Sequence, residues 1–370
     1  MKKILHIITG IGTGGAERVL HNILSKDNNN DHFIISLKKK NFIKTPYDFN
    51  RFKVIYLNLS IYNFVYKFFL LIYLIKKLNP SVIQTWMYHS DFFGGLASKL
   101  AGVKNIFWNI RNSTLDKNTK FSTKIVLKIN SYLSYFIPKK IISCSNVAIK
   151  IHLSLGFKKN FILIANGVEK EKNFKINKFK NILHLKKNEF IMTYVGRWHD
   201  QKDFETLFKA LKSLKYLFKQ TNWKILIAGY DLDQYNPVFY NLIKFNNLAT
   251  EVKLVGQLKK VKDLYKISDL NLLSSSYGEA FPNVILEAMS HGVPCVATNV
   301  GETKYIISNY GWCVNAKEPY KFAKCISEAI NLKKNLKTWK ELKFNCKLSV
   351  NQRFGMDKMI LKYNNVWNNS

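Results

Sequence analysis

Apolar residues in this chain fall into short, dense runs. KILHIIT (3–9), HFIISL (32–37), KVIYLNL (53–59), SVIQTW (81–86), NIFWNI (105–110), KIISCS (140–145) and FILIAN (161–166) are bounded by turn residues and apolar on both faces. That pattern predicts strands buried in a parallel sheet. Stretches with helical spacing lie between several of them: AERVLHNILSK (16–26), FVYKFFLLIYLIKKL (64–78), FFGGLASKLAG (92–102) and STKIVLKINSYLSYF (122–136). A second alternation runs through FIMTYVG (190–196), the helix-like DFETLFKALKSLKYLF (203–218), WKILIAG (223–229), VKLVG (252–256), LYKISD (264–269), DLNLLSS (269–275), VILEAMSHG (284–292) and PCVAT (294–298). The tail reads as helical over 319–334 and 353–368.

The polar, lysine-rich stretch 167–188 separates the two alternations. The expectation is an α/β protein of two Rossmann-like domains, with parallel sheets facing across a cleft. The first domain spans 1–170, the linker 171–188 and the second domain 189–350, and a last helix at about 353–370 packs back on the first domain. A length of 370 residues suits about two domains. No short repeat or low-complexity tract is present.

Composition adds a charge asymmetry. Lys and Arg number 58 against 24 Asp and Glu, a net charge of +34. Residues 1–180 carry 30 basic and 8 acidic residues, and residues 181–370 carry 28 and 16. Such a field attracts nucleic acid, anionic lipid or phosphorylated substrates, although a Lys/Asn/Ile-rich composition produces lysines without any partner. No nucleic-acid recognition motif accompanies the charge. Five scattered cysteines with no C-x-x-C fit a reducing compartment and argue against a disulfide or zinc framework. The N-terminus, MKKILHIITGIG, reads as a first strand rather than a signal peptide. The longest apolar run, 61–75, contains Lys67 and is too short to span a bilayer. It suits a core helix or an interfacial one.

Candidate chemistry begins at GIGTGG (10–15), where Gly10, Gly12 and Gly15 fit G-x-G-x-x-G between a strand and a helix. The acid that should meet the ribose of NAD is missing: the next strand ends SLKKKN, whose lysines would favour a 2′-phosphate. An NAD(P) oxidoreductase therefore stays open, beside a plain anion-binding turn or a tight turn with no ligand. In YVGRWHDQKDFETLFKAL, Arg197 follows a strand and Lys202 precedes a helix, on the side where parallel strands bind ligands. Two cations there suit a diphosphate. In SSSYGEAFPNVILEAMSHGVP, Glu279 lies in a loop, Pro282 fits a helix start, and Glu287 lies about one turn into that helix among apolar residues. A carboxylate so placed needs a partner, and a sugar diol supplies one.

The chain resembles the retaining glycosyltransferases of the GT-B fold, glycosyltransferase family 4 (group 1 type). The resemblance rests on GGAERV (14–19), on Ser145-Asn146, Gly156-Phe157 and ANGVE (165–169), on VGRWHDQKDFETLFKA, and most specifically on the E-x7-E stretch GEAFPNVILEAMSHGVPCVATNVG. It implies that Glu279 contacts the donor sugar and Glu287 the nucleotide ribose. The backbone of Ala280, Phe281, Pro282 and Asn283 would lie near sugar and phosphates. Arg197 and Lys202 would stabilise the leaving diphosphate, and Gly14 and Gly15 would close over it. TWMYHSD (85–91) resembles the stretch that carries a histidine near the transferring sugar, which makes His89 the candidate.

The departures are Lys202-Asp203 for the usual Lys-Gly, Ala165 for a proline, and Gly229-Tyr230-Asp231 for Gly-x-Gly. Asp231-Leu232-Asp233 follows the wrong strand for a metal–diphosphate motif, so no metal is expected. Glu302 follows Gly301 with no assigned ligand group. The resemblance implies a cytoplasmic hexosyltransferase of O-antigen or capsule type, with a UDP- or GDP-sugar as substrate and no further cofactor. Its acceptor would be a lipid-linked or free saccharide, and nucleic acid would not be a partner. Phe68, Phe69, Tyr73, Lys76 and Lys77 could rest on an anionic inner membrane face. A sugar-nucleotide 2-epimerase on the same fold is the alternative enzyme.

Overall fold

The structure, a computed structural model, describes residues 1–12, 14–40, 47–113, 120–169, 183–186, 188–220, 222–258 and 260–369. Two compact units result, Met1–Gly167 with Asp357–Ser370, and Val168–Met356. Most of the expected linker, 171–182 and 187, lies outside the described residues, as does 170.

The first unit holds β1 (Lys2–Ile8), β2 (Asn30–Ser36), β3 (Val54–Tyr56), β4 (Val82–Trp86), β5 (Ile106–Ile110), β6 (Lys140–Ser143) and β7 (Phe161–Leu163). They form one parallel sheet in the order β3-β2-β1-β4-β5-β6-β7. Every residue of β4 and β5 is buried, which explains why these strands read as unbroken apolar runs. Strand β3 is shorter than the run KVIYLNL, because Asn58 takes a left-handed φ of 52° and turns the chain. Leu71 and Ile75 of helix Phe64–Leu78 pack against Leu5, Ile83, Phe93 and Ala97. Helix Tyr88–Leu100 lies close on the sheet. A Cβ on Gly94 would stand 2.8 Å from Ile7 Cγ2, and one on Gly95 2.8 Å from Trp108 Nε1. The C-terminal residues 357–370 join this unit: Trp367 Nε1 donates to Gln84 Oε1 at 3.2 Å, and Asn109 Nδ2 donates to the Tyr363 hydroxyl at 2.9 Å.

The second unit holds β8 (Phe190–Arg197), β9 (Trp223–Tyr230), β10 (Val252–Gly256), β11 (Leu270–Leu273), β12 (Cys295–Thr298) and β13 (Gly311–Val314), all parallel, in the order β10-β9-β8-β11-β12-β13. Phe204, Phe208 and Phe239 anchor its core. Several elements escaped the sequence pattern, among them helices Asn146–Ser154, Pro237–Phe245 and Thr303–Ile307, a strand and a long helix. Strand β13 is a half-buried edge of four residues. Helix Leu336–Arg353 is mostly polar and buries only Trp339, Cys346 and Val350. LYKISD covers the end of helix Lys262–Ile267 and the two residues after it. In each sheet the connections reverse direction at one place, between β1 and β4 and between β8 and β11. Ligands of doubly wound sheets bind at the carboxyl ends of strands flanking such a reversal.

Candidate active site

At the reversal in the second unit, β8 ends on the exposed Arg197, and its neighbour β11 ends on Leu273. The two following loops are stitched together. Ser274 Oγ and the Tyr194 hydroxyl both donate to the Lys202 carbonyl, at 2.7 and 3.2 Å, and the Ser276 amide donates to the Gln201 carbonyl at 2.9 Å. This framework brings Lys202 Nζ to 2.5 Å from Glu279 Oε1, with the two side chains 13% and 12% exposed. Ser275 Oγ donates to the same carboxylate oxygen at 2.8 Å. Burial alone would raise the Glu279 pKa, but the charge and hydrogen bond of Lys202, the Ser275 hydroxyl and the charge of Arg197 together hold it below the usual carboxylate range. Glu279 is therefore an ionised acceptor at neutral pH.

The expected Lys-Gly position is Asp203, which keeps a left-handed φ of 46°. Its carboxylate caps helix Phe204–Tyr216, taking hydrogen bonds from the Thr206 amide at 3.1 Å and the Thr206 hydroxyl at 2.8 Å. Asp231 likewise keeps a left-handed φ of 59° after β9. Asp233 accepts from the Tyr235 amide at 2.9 Å, so both loop acids serve turn geometry. Among the described residues there is no group of three or more His, Cys, Asp or Glu side chains able to hold a metal ion.

Beyond Glu279, Ala280 and Phe281 are buried, Pro282 is the N-cap, and Asn283 opens helix Asn283–Ser290. Glu287 is buried on that helix beside Leu286 and Ala288. The segment after β12 clamps the Glu279 loop. The Glu302 amide donates to the Ala280 carbonyl at 2.9 Å, and a Cβ on Gly301 would fall 2.1 Å from the Glu279 carbonyl oxygen. Gly301 also sits at φ 61°, so two independent constraints require glycine there. Glu302 is thus tied to the site through its backbone, and its side chain is buried.

The remaining expected residues belong to the first unit. Gly14 is the N-cap and Gly15 the first residue of helix Gly15–Lys26. His89 is half-buried near the start of helix Tyr88–Leu100. Burial first, and the charge of Lys38 second, lower its pKa, so it is neutral at pH 7. Sequence reasoning missed Tyr194, Ser274 and Ser275, although the serine triplet just before GEAF was a visible signal. It also missed Arg111, a strand-ending arginine in WNIRN that proves buried.

Residues 175–343 match the model of the family described as glycosyl transferases group 1. Arg197, Lys202, Glu279 and Glu287 all lie within the matched residues. The chain is 28% identical over 252 residues, 64% of its length, to an Escherichia coli UDP-Gal:alpha-D-GlcNAc-diphosphoundecaprenol alpha-1,3-galactosyltransferase, and spans 62% of that protein. It is 24% identical to an uncharacterised 41.2 kDa protein in the cps region of Klebsiella pneumoniae, over 86% of this chain and 79% of that one. In structure it is similar to the Anabaena protein HepE in complex with UDP-glucose, with a TM-score of 0.85 over 100% of both chains at 18% identity. The fold is GT-B.

Proposed function

We propose that the chain is a retaining glycosyltransferase of the family 4 type. It moves a hexosyl group from a nucleotide sugar to a lipid-linked saccharide or related acceptor in cell-surface polysaccharide synthesis. The observation that carries this reading is the Lys202–Glu279 pair, 2.5 Å apart beside Arg197, at the reversal of the sheet within the residues that match the group 1 model. Lys202 and Arg197 take the donor diphosphate, and their fixed charge stabilises the negative charge that grows on it as it leaves. Glu279, ionised and preorganised by Ser275, accepts hydrogen bonds from the sugar hydroxyls, and Glu287 accepts from the ribose. Ala280, Phe281, Pro282 and Asn283 bring backbone close to sugar and phosphate. Gly14 and Gly15 serve the diphosphate, and neutral His89 serves the transferring sugar.

The acceptor hydroxyl attacks the anomeric carbon on the face the diphosphate leaves. The carbon–oxygen bond to phosphate breaks, its electron pair departs with the nucleotide diphosphate, and the acceptor proton passes to a phosphate oxygen. No cofactor or metal beyond the donor is required. UDP-hexoses are the first donors to test, because the E. coli relative is named for UDP-galactose and HepE was crystallised with UDP-glucose. The place of action is the cytoplasm, at the inner face of the membrane. Among the described residues no helix is long and apolar enough to cross a membrane.

The test is transfer from UDP-hexoses to lipid-linked saccharide acceptors. Glu279→Ala and Lys202→Ala should each lose on the order of 10²-fold or more. Near-wild-type transfer by both would overturn the site. Donor turnover that needs no acceptor would assign the epimerase chemistry instead.

A further inference from the structure

His89 sits between buried neighbours. It is half-buried, whereas Tyr88, Ser90 and Asp91 are buried, all in the first turn of helix Tyr88–Leu100. Each of the three is tied to a different part of the first unit. The Tyr88 hydroxyl donates to His152 Nε2 at 2.9 Å, and Asn130 Nδ2 donates to the Tyr88 carbonyl at 2.8 Å. The Ser90 hydroxyl lies 3.0 Å from that of Thr9, just past β1. Thr85 Oγ1 in β4 donates to Asp91 Oδ1 at 2.5 Å, and the Asn109 amide of β5 donates to the same carboxyl group. The turn begins at Met87, whose φ of 72° is strained for a residue with a side chain, and whose amide donates to the Asn109 carbonyl at 3.0 Å.

Asp91 is the costly member of this set. It is completely buried, and among the described residues no polar atom meets its Oδ2. Burial pushes the carboxyl well above its ordinary range, against the hydrogen bonds from Thr85 and the Asn109 amide. A half-satisfied acid in a core costs stability that an apolar side chain of its size would not. Its contacts run to the carboxyl ends of β4 and β5 rather than to the helix start. Buried polar contacts of this kind select one arrangement among the several that apolar packing alone would tolerate.

We infer that Asp91 is a positioning residue for His89. Through Thr85 and the Asn109 amide it pins the first helical turn to two strand ends, so that the imidazole is presented in one place. The inference rests on the transfer reading above, in which His89 serves the transferring sugar. A displacement of about 1 Å at such a group costs about 10²-fold in rate. The loss belongs in kcat rather than in donor KM, because Arg197 and Lys202, which take the diphosphate in that reading, lie in the second unit.

The experiment is steady-state transfer from UDP-hexoses to lipid-linked saccharides by the full-length protein. Asp91→Leu, similar in volume but without an acceptor, should lower kcat about tenfold or more and keep donor KM within about twofold. Asp91→Asn keeps the acceptor oxygen and should recover most of that loss. His89→Ala should also lower kcat, and in that background Asp91→Leu should add no more than about twofold. Full additivity of the two losses would overturn the proposal, as would an unchanged kcat in Asp91→Leu. If Asp91→Leu does not fold, Thr85→Val removes the same hydrogen bond without changing shape, and a native kcat there would equally overturn it. A normal kcat in His89→Ala would remove His89 from the reaction, and the inference with it, while Lys202–Glu279 kept its role. A second readout needs no turnover. In protein with isotope-labelled histidine, the His89 ring signal, assigned from His89→Ala, should shift in Asp91→Leu while that of the exposed His199 stays in place. A His89 signal that does not move would overturn the positioning role. Absence of any sugar transfer by the native protein would remove the transfer reading, and a shifted signal would still identify Asp91 as the residue that places His89.

Discussion

Lys202–Glu279 differs in kind from the chain's surface ion pairs. Lys209–Glu205 is 58% and 68% exposed and contributes little to stability. Lys202 and Glu279 are largely withdrawn from water, and desolvating two charges offsets much of their attraction. Such a pair makes sense as a preorganised site. Gly301 is the residue whose loss should expose this. Gly301→Ala forces a side chain onto the Glu279 carbonyl and a left-handed φ onto alanine. It should cost about 1–3 kcal/mol of stability. It should also lower transfer by about 10²-fold, the effect of a displacement near 1 Å at a reacting centre. Melting and transfer assays of the same preparation check both, and a folded variant with normal transfer would contradict the clamp. The glutamate pair and its helix were legible in the sequence, because their spacing is local. The serine support of Glu279 and the clamp from Gly301 and Glu302 were not, since they depend on how β11 and β12 lie side by side.

Helix Phe64–Leu78 shows what periodicity leaves open. The run 61–75 suited a core helix or an interfacial one. The structure buries only Leu71 and Ile75 fully and turns Tyr62, Val65, Tyr66, Phe69 and Tyr73 to solvent, with Lys76 and Lys77 at the end. Phe68, expected on the outer face, packs instead against Phe93, with ring centres 5.2 Å apart. Helix Phe121–Leu133 and the turn after it add exposed Phe121, Ile125, Tyr132 and Phe136 beside Lys120, Lys124 and Lys128. From residue 92 to 168 the sequence has one acid, Asp116. Aromatic rings among lysines fit an anionic interface. The protein should float with anionic vesicles at low salt and be released at high salt. Lys76→Gln/Lys77→Gln should weaken that binding by about tenfold or more, at roughly 1 kcal/mol per lysine. Retention in the soluble fraction at low salt would rule the surface out.

For the molecule as a whole, the pH response follows from histidines that the fold keeps neutral. Trp86 Nε1 donates to His6 Nδ1 at 3.3 Å, so the His6 proton is on Nε2, directed to His32 Nδ1 at 2.9 Å; His32 Nε2 in turn donates to Asp27 Oδ2 at 3.0 Å. Burial first, and then the neighbouring His32, hold His6 well below its ordinary 6.5. Burial also lowers His152. The unfolded chain takes up protons near pH 6.5 that the native state refuses, so stability falls as pH drops below that value. Asp27 is depressed despite the opposing effect of burial, by hydrogen bonds from His32, Asn30, Asn29 and Asn364, and its contribution is lost only below the ordinary 3.8. The thermal midpoint should therefore decline from pH 7 to pH 5, by at least about 1 kcal/mol of stability, since a tenfold difference in proton affinity between the folded and unfolded chain is worth about 1.4 kcal/mol. A midpoint that is flat or rises on acidification would contradict this.

The sequence alone determined the alternation of strands and helices, the parallel sheets, and the order of the E-x7-E residues, because each is written in spacings of a few positions. Tertiary structure decided which of 58 basic residues meets Glu279. Lys202 reaches it across 77 positions because β8 lies beside β11 rather than beside its successor alone. Strand order likewise put the lysines after β2 beside the loop after β1, and the fold buried Arg111 after β5. Periodicity fixes which face of an element is apolar; it carries no information about which strand ends become neighbours, and the chemistry of this chain lies at those ends.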